Sequence, residues 1–563
     1  MIKRYLKCMS LAALVCSGNA LAAPERVGDF ALLDYEGEFH QLSRYLHKQA
    51  LVLMSYATSC ADMDSRAERF VALSSQWKDA EIAFVFIDSL DEGRRAFDGL
   101  DAGLPMLEDS GQLVSETLNI SRAGEVLVMN PQRSSLLYQG PTGQQLEQAL
   151  SAIADGLMED TVKLDSDGCP IRYPVKENHA NQVPDYATDV APIIINNCAE
   201  CHRQDGVGPF AIDSHIMLMG WSPMIREVLI NKRMPPTQID PYIGHSSNAR
   251  YITKQDLQTL IHWIDAGAPR GDSEEDPLES LEFPDRKRWH LGEPDYIVTS
   301  PAHDVPSTGV LDYIYVDVEL PFEEDKWVYA VQYLAGDESV LHHLMTYVTA
   351  PDESFWGPEN EGVSVTRRFV EGYAPGKITA VEFSEDTAVH IPAGHKLSMQ
   401  FHYVTNGRST VDETQLGLYL RDEPPKYEKL TQVLSADFKI PPNANNYELQ
   451  AEHVFNEDVI LTGVRAHMHF RGKDMKFSVT SPDGSEQDIL SIPAYNYGWQ
   501  PHYLLSEPLF IAAGSKALVT GAFDNSLSNP SNPDPEKEVS SSHESWDEMF
   551  VGYLTYHLAE PAN

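Results

Sequence analysis

The sequence predicts a multidomain chain: an α/β domain, an all-α domain, and then two antiparallel β-sandwiches. Three observations predict it. At 563 residues the chain is too long for one hydrophobic core, and at roughly 100–200 residues per domain it divides into three to five. Buried-looking apolar runs alternate with amphipathic stretches to about residue 157, and a helical stretch follows. From residue 283 onward, short β-branched and aromatic runs are separated by Pro, Gly, Asn and Asp.

The first 22 residues read as a secretory signal. Lys3, Arg4 and Lys7 form a charged region, Met9 to Cys16 an apolar one, and Ala20-Leu21-Ala22 a small-residue cleavage site. The apolar run is well short of the roughly 18–20 residues that span a bilayer. Lipid attachment through Cys16 is the weaker alternative, because Leu14-Val15 lacks the small residue usual before a lipidated cysteine. No later segment is long and apolar enough to cross a membrane, so the expected location is periplasmic or secreted. Net charge is −42, with 84 acidic against 42 basic residues, which argues against nucleic acid and anionic membrane surfaces as partners. Of six cysteines, Cys8 and Cys16 leave with the signal, Cys198 and Cys201 share one motif, and only Cys60 and Cys169 remain.

Residues 24–160 form the α/β domain. Ala50-Leu51-Val52-Leu53-Met54, Ile82-Ala83-Phe84-Val85-Phe86-Ile87 and Glu125-Val126-Leu127-Val128-Met129 have the continuous apolar character of strands covered on both faces. Cys60 follows the first of these runs, and the order resembles a thioredoxin-like or peroxiredoxin-like domain. In such folds Leu104-Pro105 stands where a cis-proline is often placed. In Cys60-Ala61-Asp62-Met63, Met63 replaces the second cysteine of a CxxC pair, so no dithiol cycle can run inside this motif. Two readings of Cys60 stay open: a single redox thiol, paired or not with Cys169, or a scaffold with a structural disulfide in an oxidising compartment.

Residues 161–275 carry Cys198-Ala199-Glu200-Cys201-His202. Two thiols one helical turn apart can add to haem vinyl groups while the next histidine faces the iron, so one covalent c-type haem is expected with His202 as axial ligand. Met234, in Lys232-Arg233-Met234-Pro235-Pro236, is the expected sixth ligand, and Met217, Met219 and Met224 are expected in the core. The segment from Leu260 to Pro269 resembles the closing helix of a small cytochrome c.

Beyond an acidic linker, about 280 residues remain, too many for one sandwich. Two are expected, over 283–435 and 436–563. Here lie His342-His343, His402, His467-Met468-His469 and Met549. Imidazole suits copper in either oxidation state and a thioether favours Cu(I), so one group of three imidazoles and one of two imidazoles plus a thioether match two copper ions. Side chains two apart in a strand share a face, so His467 and His469 can grip one metal. His342 and His343 would point to opposite faces unless a bulge re-aims one of them.

These motifs, Leu341-His342-His343-Leu344-Met345, Gln400-Phe401-His402-Tyr403, Arg465-Ala466-His467-Met468-His469 and Asp547-Glu548-Met549, resemble in order and spacing the copper type II, ascorbate-dependent monooxygenases. That is the family of peptidylglycine α-hydroxylating monooxygenase and dopamine β-monooxygenase. The resemblance implies two β-sandwich domains facing a solvent-filled cleft. On one side His342, His343 and His402 would hold an electron-transfer copper. On the other, His467, His469 and Met549 would hold the copper that meets O₂ and would be the catalytic set. It also implies substrate binding by Arg465 and Tyr553. Val551 stands where the peptide-hydroxylating branch has an asparagine, which puts a glycine-extended peptide in doubt.

The expected function is hydroxylation of an sp³ C–H bond of a small-molecule or peptide-like organic substrate by O₂. Electrons would come from a periplasmic or ascorbate-like donor through the covalent haem. The alternatives are a copper and haem electron-transfer protein without hydroxylase activity, or a thiol-redox protein acting through Cys60.

Overall fold

The computed structural model describes residues 25–97, 103–158, 160–204, 206–236, 239–249, 251–283, 287–353, 368–374, 379–384, 386–542, 544 and 546–560; the signal over 1–22 lies outside the described residues. The three apolar runs of the α/β domain are strands Ala50–Tyr56, Ile82–Asp88 and Val126–Asn130. They lie in one mixed sheet in the order Met106–Glu108, Ile82–Asp88, Ala50–Tyr56, Val126–Asn130, Ser135–Gly140, Val162–Lys163. All seven residues of the central strand Ala50–Tyr56 are buried, as a strand covered on both faces requires. It runs parallel to Ile82–Asp88 and antiparallel to Val126–Asn130.

Two expectations need correction here. Leu104–Pro105 is not cis; the cis peptide bond among the described residues is Met234–Pro235. Pro105 leads into the edge strand Met106–Glu108, a position proline tolerates because no ladder donor is needed there. The unit also runs on past 160. Val162–Lys163 pairs parallel with Ser135–Gly140, and the next segment lies along Ser121–Ala123 through Ala123 N–H to Cys169 O (2.8 Å) and Ile171 N–H to Ser121 O (2.9 Å).

The segment that follows is helical: Pro174–Asn181, Ala191–Asn197, His215–Ile230 and Lys254–Asp265. Ser214 and Thr253 cap the last two by accepting the N–H of Met217 and Asp256, satisfying first-turn donors that have no partner inside the helix. Leu260, Ile261, Trp263 and Ile264 make a wide apolar face on Lys254–Asp265, and the helical segment shares one continuous core with the α/β unit. Arg94 seals the join by pairing with Glu108 of the sheet and Asp240 of the helical segment. Met217, Met219 and Met224, expected in the core, are each more than a third exposed.

Two sandwiches complete the chain. The first packs Ile314–Glu319, Lys396–Tyr403, Leu341–Thr349 and Arg368–Tyr373 against a sheet centred on Lys326–Leu334. The second packs Leu430–Ser435, Val551–Leu558, Val459–His467 and Tyr503–Ile511 against Tyr447–Val454, Lys516–Phe523, Gly472–Thr480 and Glu486–Ile492. The chain crosses between them near Lys429, earlier than 435, because Leu430–Ser435 already pairs with Val551–Leu558. No helix among the described residues is long and apolar enough to cross a membrane.

Candidate metal centre

The His342 strand carries the irregularity that adjacent histidines need. Its register against the His402 strand shifts between Leu341 and His343, so that Leu341 faces Tyr403 and His343 faces His402. This bulge turns His342 toward its neighbours, and the ligand atoms of His342, His343 and His402 all lie within 4.8 Å of one another. Nδ1 of His342, Nδ1 of His402 and both ring nitrogens of His343 are buried with no hydrogen-bond partner. Orphaned buried ring nitrogens that converge on one point are what a metal ligand set leaves when the metal is not counted. Nε2 of His402 is taken by the hydroxyl of Tyr497 at 3.0 Å, which fixes the ring with Nδ1 inward.

Burial pushes His342 down to about 4. It also holds His343 and His402 well below the ordinary imidazole range, with neighbouring imidazoles adding to the effect. All three are therefore neutral, the form that binds metal. The sign of the pH dependence follows. An unfolded imidazole titrates near 6.5, so below that pH the unfolded chain takes up a proton that the folded, metal-free site refuses. The stability contributed by His402 is present above about 6.5 and is lost as the pH falls. The stability difference between wild type and His402→Gln, read from urea midpoints without metal, is expected to shrink from about pH 7.5 to about pH 5. A constant difference would count against a neutral buried imidazole.

The second group forms at the end of strand Val459–His467. His467 is its last residue, His469 lies just beyond, and their ring centroids are 5.3 Å apart. The intervening backbone is pinned from both sides: Tyr495 bonds N–H and C=O of Met468, and the Glu548 carboxyl accepts the N–H of His469 (2.7 Å) and of Arg471 (2.6 Å). Glu548 is fully buried, and burial pushes its carboxyl up to about 8 against the pull of those bonds. The next residue is Met549, so the clamp on His469 holds the backbone of the expected thioether ligand beside it. Nδ1 of His467 meets Gln500 Oε1 at 2.5 Å and Nδ1 of His469 meets Asp547 O at 3.2 Å, which fixes the orientation of each ring. Three imidazoles in a buried cluster, and a second pair of imidazoles beside it, are donors that suit copper.

The resemblance implied a solvent-filled cleft between the groups, and here the structure differs. Tyr313, 8% exposed, stands between them, and the two sandwiches close on each other around Arg465. That guanidinium lies 4.6 Å from the Phe369 ring and 4.1 Å from the Tyr553 ring. It also reaches Met345 Sδ and Tyr347, and its Nε is buried with no hydrogen-bond partner. Arg465 and Tyr553 are cross-strand partners. The two expected substrate-binding residues are therefore together, and in this closed form both are covered.

Cys198, Cys201, His202 and Met234 line one cavity of about 420 Å³, walled by Ile194, Val207, Phe210, Ile225, Val228, Leu229 and Leu260. Nδ1 of His202 is bonded to Phe210 O at 3.1 Å, which orients its Nε2 toward the space. Apolar walls, two thiols, an oriented imidazole and a thioether fit a covalent haem. Met224 also lines this cavity, so a second thioether competes with Met234. His342, Asn496, Gly498 and Trp499 belong to the same wall. A member of the first histidine group thus lines the cavity of the Cys198–His202 motif.

Cys60 is joined to Cys169, and its groove is filled by the segment that Cys169 belongs to. A Cβ at Gly168 would sit 1.7 Å from Ala123 O, so only glycine lets the chain lie this close. Cys60→Ser is expected to cost about 2–4 kcal/mol of stability and to leave unchanged any oxygen uptake that depends on added copper. Loss of that uptake in a folded variant would favour thiol chemistry.

No family model matches the chain, and no curated protein matches it. Among solved structures, a hypothetical protein from Sinorhizobium meliloti is 21% identical and covers 28% of this chain and 96% of its own, with a TM-score of 0.25. A putative thiol:disulfide interchange protein from Chlorobium tepidum is 15% identical and covers 24% and 99%, with a TM-score of 0.22. A peroxidoxin from Mycobacterium tuberculosis is 19% identical and covers 24% and 96%, with a TM-score of 0.20. The second and third of these neighbours are of thiol:disulfide interchange and peroxidoxin kind, and all three align with about a quarter of the chain.

Sequence reasoning singled out the histidines but passed over Tyr313, Tyr497, Gln500 and Glu548. Tyr313 opens a run that reads as an ordinary strand. Glu548 follows Asp547 in a polar stretch, and nothing local marks it as buried.

Proposed function

We propose that this chain is an exported copper-dependent monooxygenase that hydroxylates an sp³ C–H bond of an organic substrate with O₂, drawing electrons through a covalent c-type haem. The observation that carries this reading is the convergence of five imidazoles from two sandwiches at one buried centre, with His342 also on the wall of the cavity of the CxxCH motif. His342, His343 and His402 would hold one copper by way of their inward nitrogens, and His467, His469 and Met549 the other. When bound, the coppers supply one-electron redox chemistry and oxygen activation, and the haem a one-electron store.

The chain's own groups do the rest. Gln500 and the Asp547 carbonyl fix the second pair of rings. The closed sandwiches keep bulk water from the centre, which strengthens every polar interaction inside it. Arg465, a buried cation over two aromatic rings, would present positive charge to an anionic substrate group once the sandwiches part. A carboxylate-bearing substrate is therefore the first class to screen. The test is the reoxidation by air of chemically reduced haem in copper-loaded and copper-free protein. Faster reoxidation with copper supports the reading, and equal rates would remove the haem from the route.

A further inference from the structure

We infer that Tyr313 and Tyr497 form an aromatic bridge that couples the two histidine groups and occupies the space through which an electron passes between them. The inference rests on the reading of those groups as two copper sites.

The Tyr313 ring is in contact range of both groups at once. Its centroid lies 5.6 Å from His343 and 5.0 Å from His402 on one side, and 6.4 Å from His467 and 5.7 Å from His469 on the other. Tyr497 makes a second crossing: its ring lies 5.0 Å from His402 and 6.1 Å from His469. With Nδ1 of His402 given to a metal, its Nε2–H donates to the Tyr497 oxygen at 3.0 Å. Coupling between sites is carried by packed side chains and hydrogen bonds, and a contiguous path exists here where the resemblance implied water. Phe470, 4.4 Å from Tyr497, backs the second ring. Tyr313 leads into strand Ile314–Glu319, paired with the His402 strand, while Tyr497 belongs to the second sandwich. The bridge therefore forms only when the sandwiches are closed.

The electron count is simple. A metal held by His342, His343 and His402 would give up one electron and a metal held by His467 and His469 would take it, with neither tyrosine changed in the net step.

The test uses the full chain loaded with copper. In the oxidised wild type, electron paramagnetic resonance should show dipolar broadening between two Cu(II) centres; two non-interacting spectra would overturn the inference. Fully reduced wild type, Tyr313→Phe, Tyr313→Leu and Tyr497→Leu are then mixed with O₂ and frozen at intervals to follow Cu(II) at the first site. Tyr313→Phe should match wild type, and each leucine variant should slow that signal about tenfold while keeping two coppers. Unchanged rates in both leucine variants with two coppers bound would overturn the bridge. If one leucine variant loses copper, the other decides. Fewer than two coppers in wild type would instead defeat the copper reading, and the bridge with it.

Discussion

Replacing His343 by alanine is expected to leave one copper per chain instead of two and to abolish oxygen-coupled turnover. His343 is the sharpest choice in its group. It is 2% exposed, both its ring nitrogens lack a hydrogen-bond partner, and it stands directly across the ladder from His402. A structural histidine at that position would donate its N–H to something, because an unpaired buried polar group costs about 1–3 kcal/mol. Two unpaired nitrogens on one ring are tolerable if a metal takes one of them. Loss of even a supporting group around a metal typically costs about 10–100-fold in affinity, and loss of the ligand should cost more. The copper that remains should belong to His467 and His469, so the double variant with His469→Ala should hold none. Equal copper content in wild type and His343→Ala would refute the first ligand set.

Glu548→Ala is expected to cost about 3 kcal/mol of stability, since it strips the acceptor from two buried N–H groups and from the fully buried Arg471. It should also release the second copper. The carboxyl holds the backbone of His469 and Arg471 with one oxygen each, and Met549 is the next residue, so the two expected ligands share this one clamp. Glu548→Gln keeps an acceptor and the shape of the side chain. It should retain more of both stability and copper than the alanine variant, measured by urea unfolding and metal analysis. If Glu548→Ala binds two coppers at wild-type affinity, the clamp does not position the site.

The parts of the site that sequence could reach were those tied to a periodicity or a fixed spacing. Adjacent histidines conflict with the two-residue period of a strand, so a bulge at His342–His343 was legible before the fold was known. The strands Ala50–Tyr56 and Ile82–Asp88 were legible because continuous apolar runs of that length fit a strand covered on both faces. What lies across a gap was not legible. Tyr313 is an aromatic in a β-rich run, and nothing local says that its ring faces four histidines. The apolar face of Lys254–Asp265 was visible as amphipathic spacing, but not that the α/β unit covers it. The cis bond expected at Leu104–Pro105 rested on the resemblance to thioredoxin-like folds and not on any local pattern, and the proline instead opens an edge strand. The wall shared by His342 and the Cys198–His202 cavity joins residues more than a hundred positions apart, and no pattern along the chain encodes it.

Copper and haem content per chain, measured on wild type and His469→Ala under identical loading, decides whether two coppers and a haem are bound. Two coppers and one haem are expected in wild type, and one copper with an unchanged haem in the variant. Haem without stoichiometric copper, when copper was supplied, would contradict the copper reading and leave a cytochrome joined to a pair of sandwiches that bind no metal.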